Sequence, residues 1–228
     1  MNKTILAINT ATENCSIALI THNNELYIRN EIALKCHTQK ILPMIDEVLK
    51  EAKITLNQIH SIAYARGPGS FTSLRIGICI AKGLAFSKNL PMIGISSLQS
   101  IAQNIYRRYG LTRVACAIDA RMNEIYWGNF YRLKDGSWNS IDIESTIPYK
   151  TLEKKLINTK SVFGIAKTKL ETCSENLNKI LIKFKNTKTI YSEAQDIAYL
   201  AKFELEKGNV LSVNEATPVY LRDKIVSN

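Results

Sequence analysis

Apolar and polar positions change rhythm along the first hundred residues. KTILAIN (3–9), CSIALIT (15–21) and ELYIRNEIA (25–33) are short apolar runs divided by polar turns, and they predict three strands. The period then lengthens. In HTQKILPMIDEVLKEA (37–52), Ile41, Leu42, Ile45, Val48, Leu49 and Ala52 fall at i, i+1, i+4, i+7, i+8 and i+11, the apolar stripe of a helix. Thr38 is its candidate cap, and Pro43, too deep for a first turn, predicts a kink or a later start. SIAYARG (61–67) then predicts a strand, 71–88 a helix, PMIGI (91–95) a strand and 97–107 a helix, which completes a first α/β lobe.

The second half begins the same way. Ala7-Ile8-Asn9 has a counterpart in Ala117-Ile118-Asp119, 110 positions further on, and each is followed by a polar turn and another strand, CSIALI or IYWGNFY. A repeat near half the chain length points to duplicated lobes. Ala-Ile-polar is also an ordinary ending for a buried strand, so the match alone leaves both readings open. From Ser161 the pattern fades into a strand (161–165), an irregular lysine-rich middle, a helix near 193–206 and the tail EATPVYLRDKIVSN. The resulting division is 1–108 and 109–228, with the last segment a candidate for returning to the first lobe.

Composition narrows the class. The chain has 228 residues, enough for one large core or two lobes. Its five cysteines are odd in number with no C-x-x-C pair, which points to reduced thiols rather than a disulfide framework or a zinc knuckle. The apolar run at Ile5–Ile8 is interrupted by Asn9 and Thr10, too soon for a signal peptide or a membrane span, so the expected location is cytoplasmic. The formal charge is +10, and residues 149–188 hold ten lysines against three acids. That stretch contains no arginine, the residue that phosphate and base contacts favour, and a solvated surface is the stronger reading over an RNA patch.

ARGPGSFTSLRIG (65–77) has the look of a phosphate loop but lacks the Gly-Lys-Ser/Thr ending such a loop requires, since from residue 65 onward no lysine appears until Lys82. Gly67 and Gly69 permit a sharp strand-to-helix turn, Pro68 stiffens it, and Ser70 is placed to cap the helix behind it. Amides at that helix start could hold an anion. Along the helix, Ser73, Gly77, Ala81 and Ala85 recur every four residues and leave almost no side-chain bulk. Such a stripe admits another backbone closely, either this chain's own sheet or a second protein.

INTATENCSIAL, HTQKILPMID, YARGPGSFTSLRIGICIAKGLA, PMIGISSLQSIAQ, AIDARMNEIYW and EATPVYLR together resemble the bacterial TsaB (YeaZ) family over nearly the whole chain. The resemblance implies an α/β fold of two duplicated lobes of the actin/Hsp70/sugar-kinase type. It also implies a part in making threonylcarbamoyladenosine on tRNA, where TsaC makes threonylcarbamoyl-AMP, TsaD transfers the group, TsaE is an ATPase and TsaB supports TsaD without catalysing the transfer. Its partners would be TsaD in a heterodimer, and TsaE and tRNA through the complex; for the isolated chain the resemblance leaves homodimer and monomer both open. It would carry no cofactor of its own, ATP, magnesium and a metal ion belonging to the partner subunits. The contact with TsaD would use the helices at 39–52 and 71–88, hence His37, Ile41, Ile45, Ser73, Gly77, Ala81 and Ala85. Ser73 stands where the family usually has glycine.

The residues also speak to chemistry. TsaD-type relatives bind metal through two histidines four apart on a helix; here His37 is followed at that spacing by Ile41, so a capping, packing or interface role is expected for His37 and no metal site. In actin-like ATPases a carboxylate after the first strand helps to hold hydrated magnesium. Asn9 replaces it with an amide, whereas Asp119 keeps it. Asn9, Thr10, Gly67, Gly69, Ser70, Asp119 and Arg121 are thus either a vestigial nucleotide cleft or plain turn-formers. An ATP-dependent kinase or hydrolase of the same fold is the alternative function, and a metallopeptidase the third; Asn9 argues against the one and Ile41 against the other.

Overall fold

Strands β1 (Ile5–Asn9), β2 (Asn14–Ile20) and β3 (Leu26–Ile32) form an antiparallel meander, and β4 (Ser61–Gly67) and β5 (Met92–Ser96) add in parallel on the other side of β1. The order is β3-β2-β1-β4-β5. Helices α1 (His37–Glu51), α2 (Phe71–Lys88) and α3 (Ser97–Tyr109) occupy the connections. These are features of a computed structural model that describes residues 3–33, 36–158, 164–167 and 187–222.

The second sheet repeats the plan. β6 (Arg113–Arg121) and β7 (Glu124–Arg132) are its antiparallel hairpin, β8 (Trp138–Ser140) and β9 (Ser145–Pro148) both pair with β7, and after α4 (Tyr149–Asn158) come β10 (Gly164–Lys167), parallel to β6, and β11 (Thr187–Thr189), parallel to β10. α5 (Ala194–Glu206) follows β11 as α3 follows β5. Two sheets of matching strand order and direction make this the duplicated α/β fold of the actin/Hsp70/sugar-kinase type.

The chain divides into two compact units, Met1–Ser100 with Ser192–Val219, and Ile101–Tyr191 with Tyr220–Asn228. The division falls inside α3, where the hydrophobic pattern alone places it near residue 108. In the first unit every residue of β1 and β2 is buried, because helices cover both faces of the sheet. Leu6, Ile8, Ile17 and Leu19 share one core with Ile41, Ile45 and Val48 of α1 and Ile78 of α2. α5 packs across β1, β2, β4 and β5 on the other face. In the second unit Trp127 and Phe130 of β7 are fully buried, and the Trp138 indole N–H donates to Gln103 Oε1 at 2.8 Å.

Two helix starts differ from expectation. α1 begins at His37, with Cys36 in the cap position and no side-chain capping bond, so Thr38 lies inside the first turn rather than capping it. Pro43 is accommodated within α1 on the exposed side, where the carbonyl it leaves unpaired belongs to exposed Gln39 and is open to water. Ser70 does hold the cap position of α2, yet its hydroxyl makes no capping bond. β8, β9 and α4 are absent from the sequence reading; α4 reads as a lysine run, although Tyr149 and Leu152 bury one side of it. Residues 161–163 of the expected strand, and the lysines at 160, 169, 179, 183 and 185, lie outside the described residues.

Candidate functional site

The turn between β1 and β2 is where a sugar-kinase-type fold would meet phosphate, and here it is filled by the chain itself. Asn9 is fully buried. Its Oδ1 accepts from the Ala11 N–H at 3.1 Å, and its Nδ2 donates to the Ser192 carbonyl at 2.6 Å. Asn14 Nδ2 donates to the same carbonyl at 3.1 Å, and Ser16 Oγ accepts the Ala194 N–H at 2.9 Å, at the start of α5. Ser192 Oγ in turn donates to Ser100 Oγ at 3.0 Å. Sequence reasoning missed this cluster. Its signal was a serine, Ser16, inside a strand otherwise apolar enough to be buried on both faces.

The glycine loop closes on the same turn. The Ser70 amide, one of the donors an anion at the head of α2 would use, donates to the Ala11 carbonyl at 2.8 Å. A Cβ on Gly69 would lie 2.2 Å from that oxygen, so only glycine lets the two backbones approach. Gly67 has φ +108, and a Cβ there would lie 2.8 Å from the Val219 carbonyl, while the Val219 N–H donates to Arg66 O at 2.8 Å. Thr10 Oγ1 donates to Ser73 O at 2.6 Å, and His37 Nε2 meets Thr12 O at 2.9 Å, which requires the Nε2–H tautomer. Asn9, Thr10, Gly69, Ser70 and His37 are therefore gathered around one turn, while Gly67 meets the tail at Val219. Asp119 and Arg121 stand at the corresponding turn of the second unit, where Asp119 Oδ1 accepts the Arg121 N–H at 2.6 Å and the Tyr149 hydroxyl at 3.0 Å. Both turns use their Asn or Asp oxygen in the same way, on the amide two residues ahead.

The expected contact residues lie mostly inside the first unit. His37, Ile41, Ile45, Gly77, Ala81 and Ala85 are all buried in the first unit, and Ser73 is half-buried with its carbonyl bound by Thr10. The small stripe of α2 faces the chain's own sheet: a Cβ on Gly77 would lie 2.4 Å from Thr10 Oγ1. The close approach that small residues permit is made within the lobe. The outward stripe of α2 is instead Phe71, Arg75, Cys79, Lys82 and Phe86, with the Arg75 guanidinium 3.8 Å from the Phe71 ring centroid and Phe86 79% exposed. An open, almost wholly apolar groove runs between Thr38 of α1 and Phe71, Arg75, Ile76, Cys79 and Ile80 of α2, and Leu42 of α1 is 53% exposed.

Among the described residues no three His, Cys, Asp or Glu side chains converge. Cys15 is inert, since burial pushes its thiol up to about 11 and Glu31 adds to the shift. Among the described residues no helix is long and apolar enough to cross a membrane.

Fold and site together define a protein of the actin/Hsp70/sugar-kinase class whose first phosphate turn is packed against its own backbone. The family model described as "TsaD: tRNA N6-adenosine threonylcarbamoyltransferase" matches residues 20–210. The tRNA threonylcarbamoyladenosine biosynthesis protein TsaB of Escherichia coli K12 is 36% identical over 97% of this chain and 95% of its own length, and its namesake in Haemophilus influenzae is 37% identical over 98% and 95%. A crystal structure of YeaZ from Pseudomonas aeruginosa is similar with a TM-score of 0.84 and 32% identity, covering 96% of this chain and 100% of that one. The chain belongs to the TsaB (YeaZ) family.

Proposed function

We propose that the chain serves in threonylcarbamoyladenosine biosynthesis as a non-catalytic subunit that pairs with TsaD and supports transfer to the adenosine 3′ of the anticodon. Family membership supports the pathway. One contact carries the non-catalytic reading: the Asn9 amide donates to the Ser192 carbonyl at 2.6 Å in a fully buried setting, where a magnesium-holding carboxylate would need to be open. ATP, magnesium and the metal ion of the reaction are then held by partner subunits. TsaE and tRNA are met through the complex, in the cytoplasm.

TsaD is met on the outward face of α1 and α2, which replaces the buried stripe as the contact; the same apolar face would pair two copies of the isolated chain. Leu42→Glu and Phe86→Glu alter side chains that project from this face, so each should change monomer stability by no more than about 0.5 kcal/mol. Each should weaken TsaD binding by about tenfold or more, because a buried apolar contact is replaced by an unpaired charge. Titration calorimetry with the same organism's TsaD, beside a thermal melt of each variant, reads both quantities. Wild-type affinity in both variants would remove this face from the contact. The wider reading is tested by reconstituting transfer with each subunit omitted in turn. The chain alone should turn over neither ATP nor peptide, and transfer should collapse when it is left out.

A further inference from the structure

Two of the sequence blocks that carry the family resemblance, AIDARMNEIYW and the last three residues of EATPVYLR, Tyr220–Arg222, lie in the second unit and meet there. The β6–β7 turn has positive φ at three consecutive residues, Arg121 (+61), Met122 (+53) and Asn123 (+59). Two-residue hairpin turns that follow strand twist need positive φ at both central positions and are normally Asn-Gly, Asp-Gly or Gly-Gly. Here the central pair is Met122-Asn123, and the strand residue before it, at a break in register between Asp119 and Arg121, shares the left-handed conformation. Asparagine tolerates that region, but arginine and methionine do not. Met122 is nonetheless displayed at the tip, 65% exposed.

Other parts of the unit hold the turn in place. The Tyr149 N–H donates to Asn123 O at 2.9 Å. Arg222, at the end of the second block, reaches three acceptors with one guanidinium: Nη2 donates to Arg121 O at 3.2 Å and pairs with the Glu124 carboxylate, and Nη1 approaches Met122 Sδ at 3.5 Å. Its neighbour Leu221 is fixed by the Thr146 hydroxyl, which donates to Leu221 O at 3.0 Å. A planar fork suits this task as an ammonium does not, because several N–H groups leave it in fixed directions.

We propose that Arg222 is a latch that holds the Arg121–Met122–Asn123 turn in a left-handed shape its own residues disfavour. The presentation of Arg121 and Met122 at the hairpin tip then depends on docking of the segment around Arg222. Displacing that segment lets the tip relax to an extended, protease-sensitive form.

The test uses the full chain in four forms: wild type, Arg222→Ala, the turn variant Met122→Asn/Asn123→Gly, and the combination. Amide exchange over residues 121–124 and tryptic cleavage after Arg121 are read beside the melting temperature. Arg222→Ala should accelerate both local readouts by roughly tenfold or more, the scale set by the cost of one non-glycine residue in this conformation. In the Asn-Gly background, where the turn favours its own shape, the same substitution should have little effect. Equal acceleration in both backgrounds would reduce Arg222 to a surface ion pair with Glu124 and overturn the latch, as would no acceleration at all. Should Arg222→Ala unfold the unit, Arg222→Lys gives the same decision: it keeps the charge but not the fork, and wild-type exchange in that variant overturns the proposal.

Discussion

Gly77→Leu is expected to destabilise the first unit and lower its melting temperature well below wild type. Thr10 Oγ1 occupies the space a Cβ would need, 2.4 Å away, with Thr10 Cβ and Cγ2 both at 3.5 Å. Thr10 is buried, and its hydroxyl is committed to Ser73 O at 2.6 Å, so rotating it aside breaks that bond. Overpacking of this kind costs about 1–3 kcal/mol or more, and a buried hydroxyl left without its partner adds about 1–3 kcal/mol. The gain in helix propensity on removing a mid-helix glycine is at most about 1 kcal/mol and does not offset these losses. Gly83→Ala, on the same helix, is the control. A Cβ at that exposed position meets nothing within 4 Å, so the same propensity gain should appear there alone and raise stability slightly. Denaturant unfolding of the two variants should shift in opposite directions. A Gly77→Leu protein that unfolds at the wild-type midpoint would mean that the small stripe of α2 is open to a partner after all. Any loss of TsaD binding in this variant would follow from damage to the unit.

That outcome bears on what the sequence could and could not disclose. The first-lobe strands and helices were legible within a residue or two, because each is bounded by turn-formers and carries a clear period. α1 in particular shows its buried side in Ile41, Ile45 and Val48. α2 does not. Leu74 and Ile78 are buried, Ile76, Ile80 and Leu84 are half-buried, and Phe71 and Phe86 are exposed, so apolar residues occur on every side and the pattern fixes no inward face. A row of small residues says that a backbone comes close without saying whose. The filled turn was half legible: Asn9 and the loop glycines stood out as unusual, but what they meet are backbone carbonyls, that of Ser192, 183 residues away, for Asn9, and those of Ala11 and Val219 for Gly69 and Gly67. A backbone oxygen leaves no mark in the residue type that carries it. The second hairpin turn was legible as a polar turn ahead of IYWGNFY, but its left-handed shape was not, since Met122-Asn123 breaks the usual turn rule and the compensation comes from Arg222. Positions that defy local rules are where long-range contacts do the holding.

Asn9→Asp restores the side chain a magnesium-binding turn would carry, and it is expected to destabilise the chain in a manner that grows with pH. At Asn9 the amide nitrogen donates to Ser192 O at 2.6 Å, and a carboxylate there would set one oxygen against another with no proton between them. The position is fully buried, so neither water nor movement relieves the contact. The Ser192 carbonyl keeps the Asn14 donor at 3.1 Å but loses its shorter one, and a buried side-chain oxygen left facing it without a proton costs about 1–3 kcal/mol, more when it is ionised. Burial and a facing carbonyl both disfavour the charged form, so the introduced carboxyl should have a folded-state pKa above its unfolded value of about 3.9. The folded state then binds a proton that the unfolded state has released, and stability relative to wild type falls as pH rises through the interval between the two values. At about pH 3, well below the unfolded value, the carboxyl is protonated in both states, its O–H can donate to Ser192 O, and the deficit should nearly vanish. At neutral pH the full deficit should remain. Paired denaturant titrations of wild type and variant at about pH 3 and pH 7.5 measure the difference directly. A pH-independent difference near zero would show that a carboxylate fits the turn. If the same variant also gained magnesium-dependent ATP turnover, the turn would be an open phosphate site, and the non-catalytic reading would fall with it.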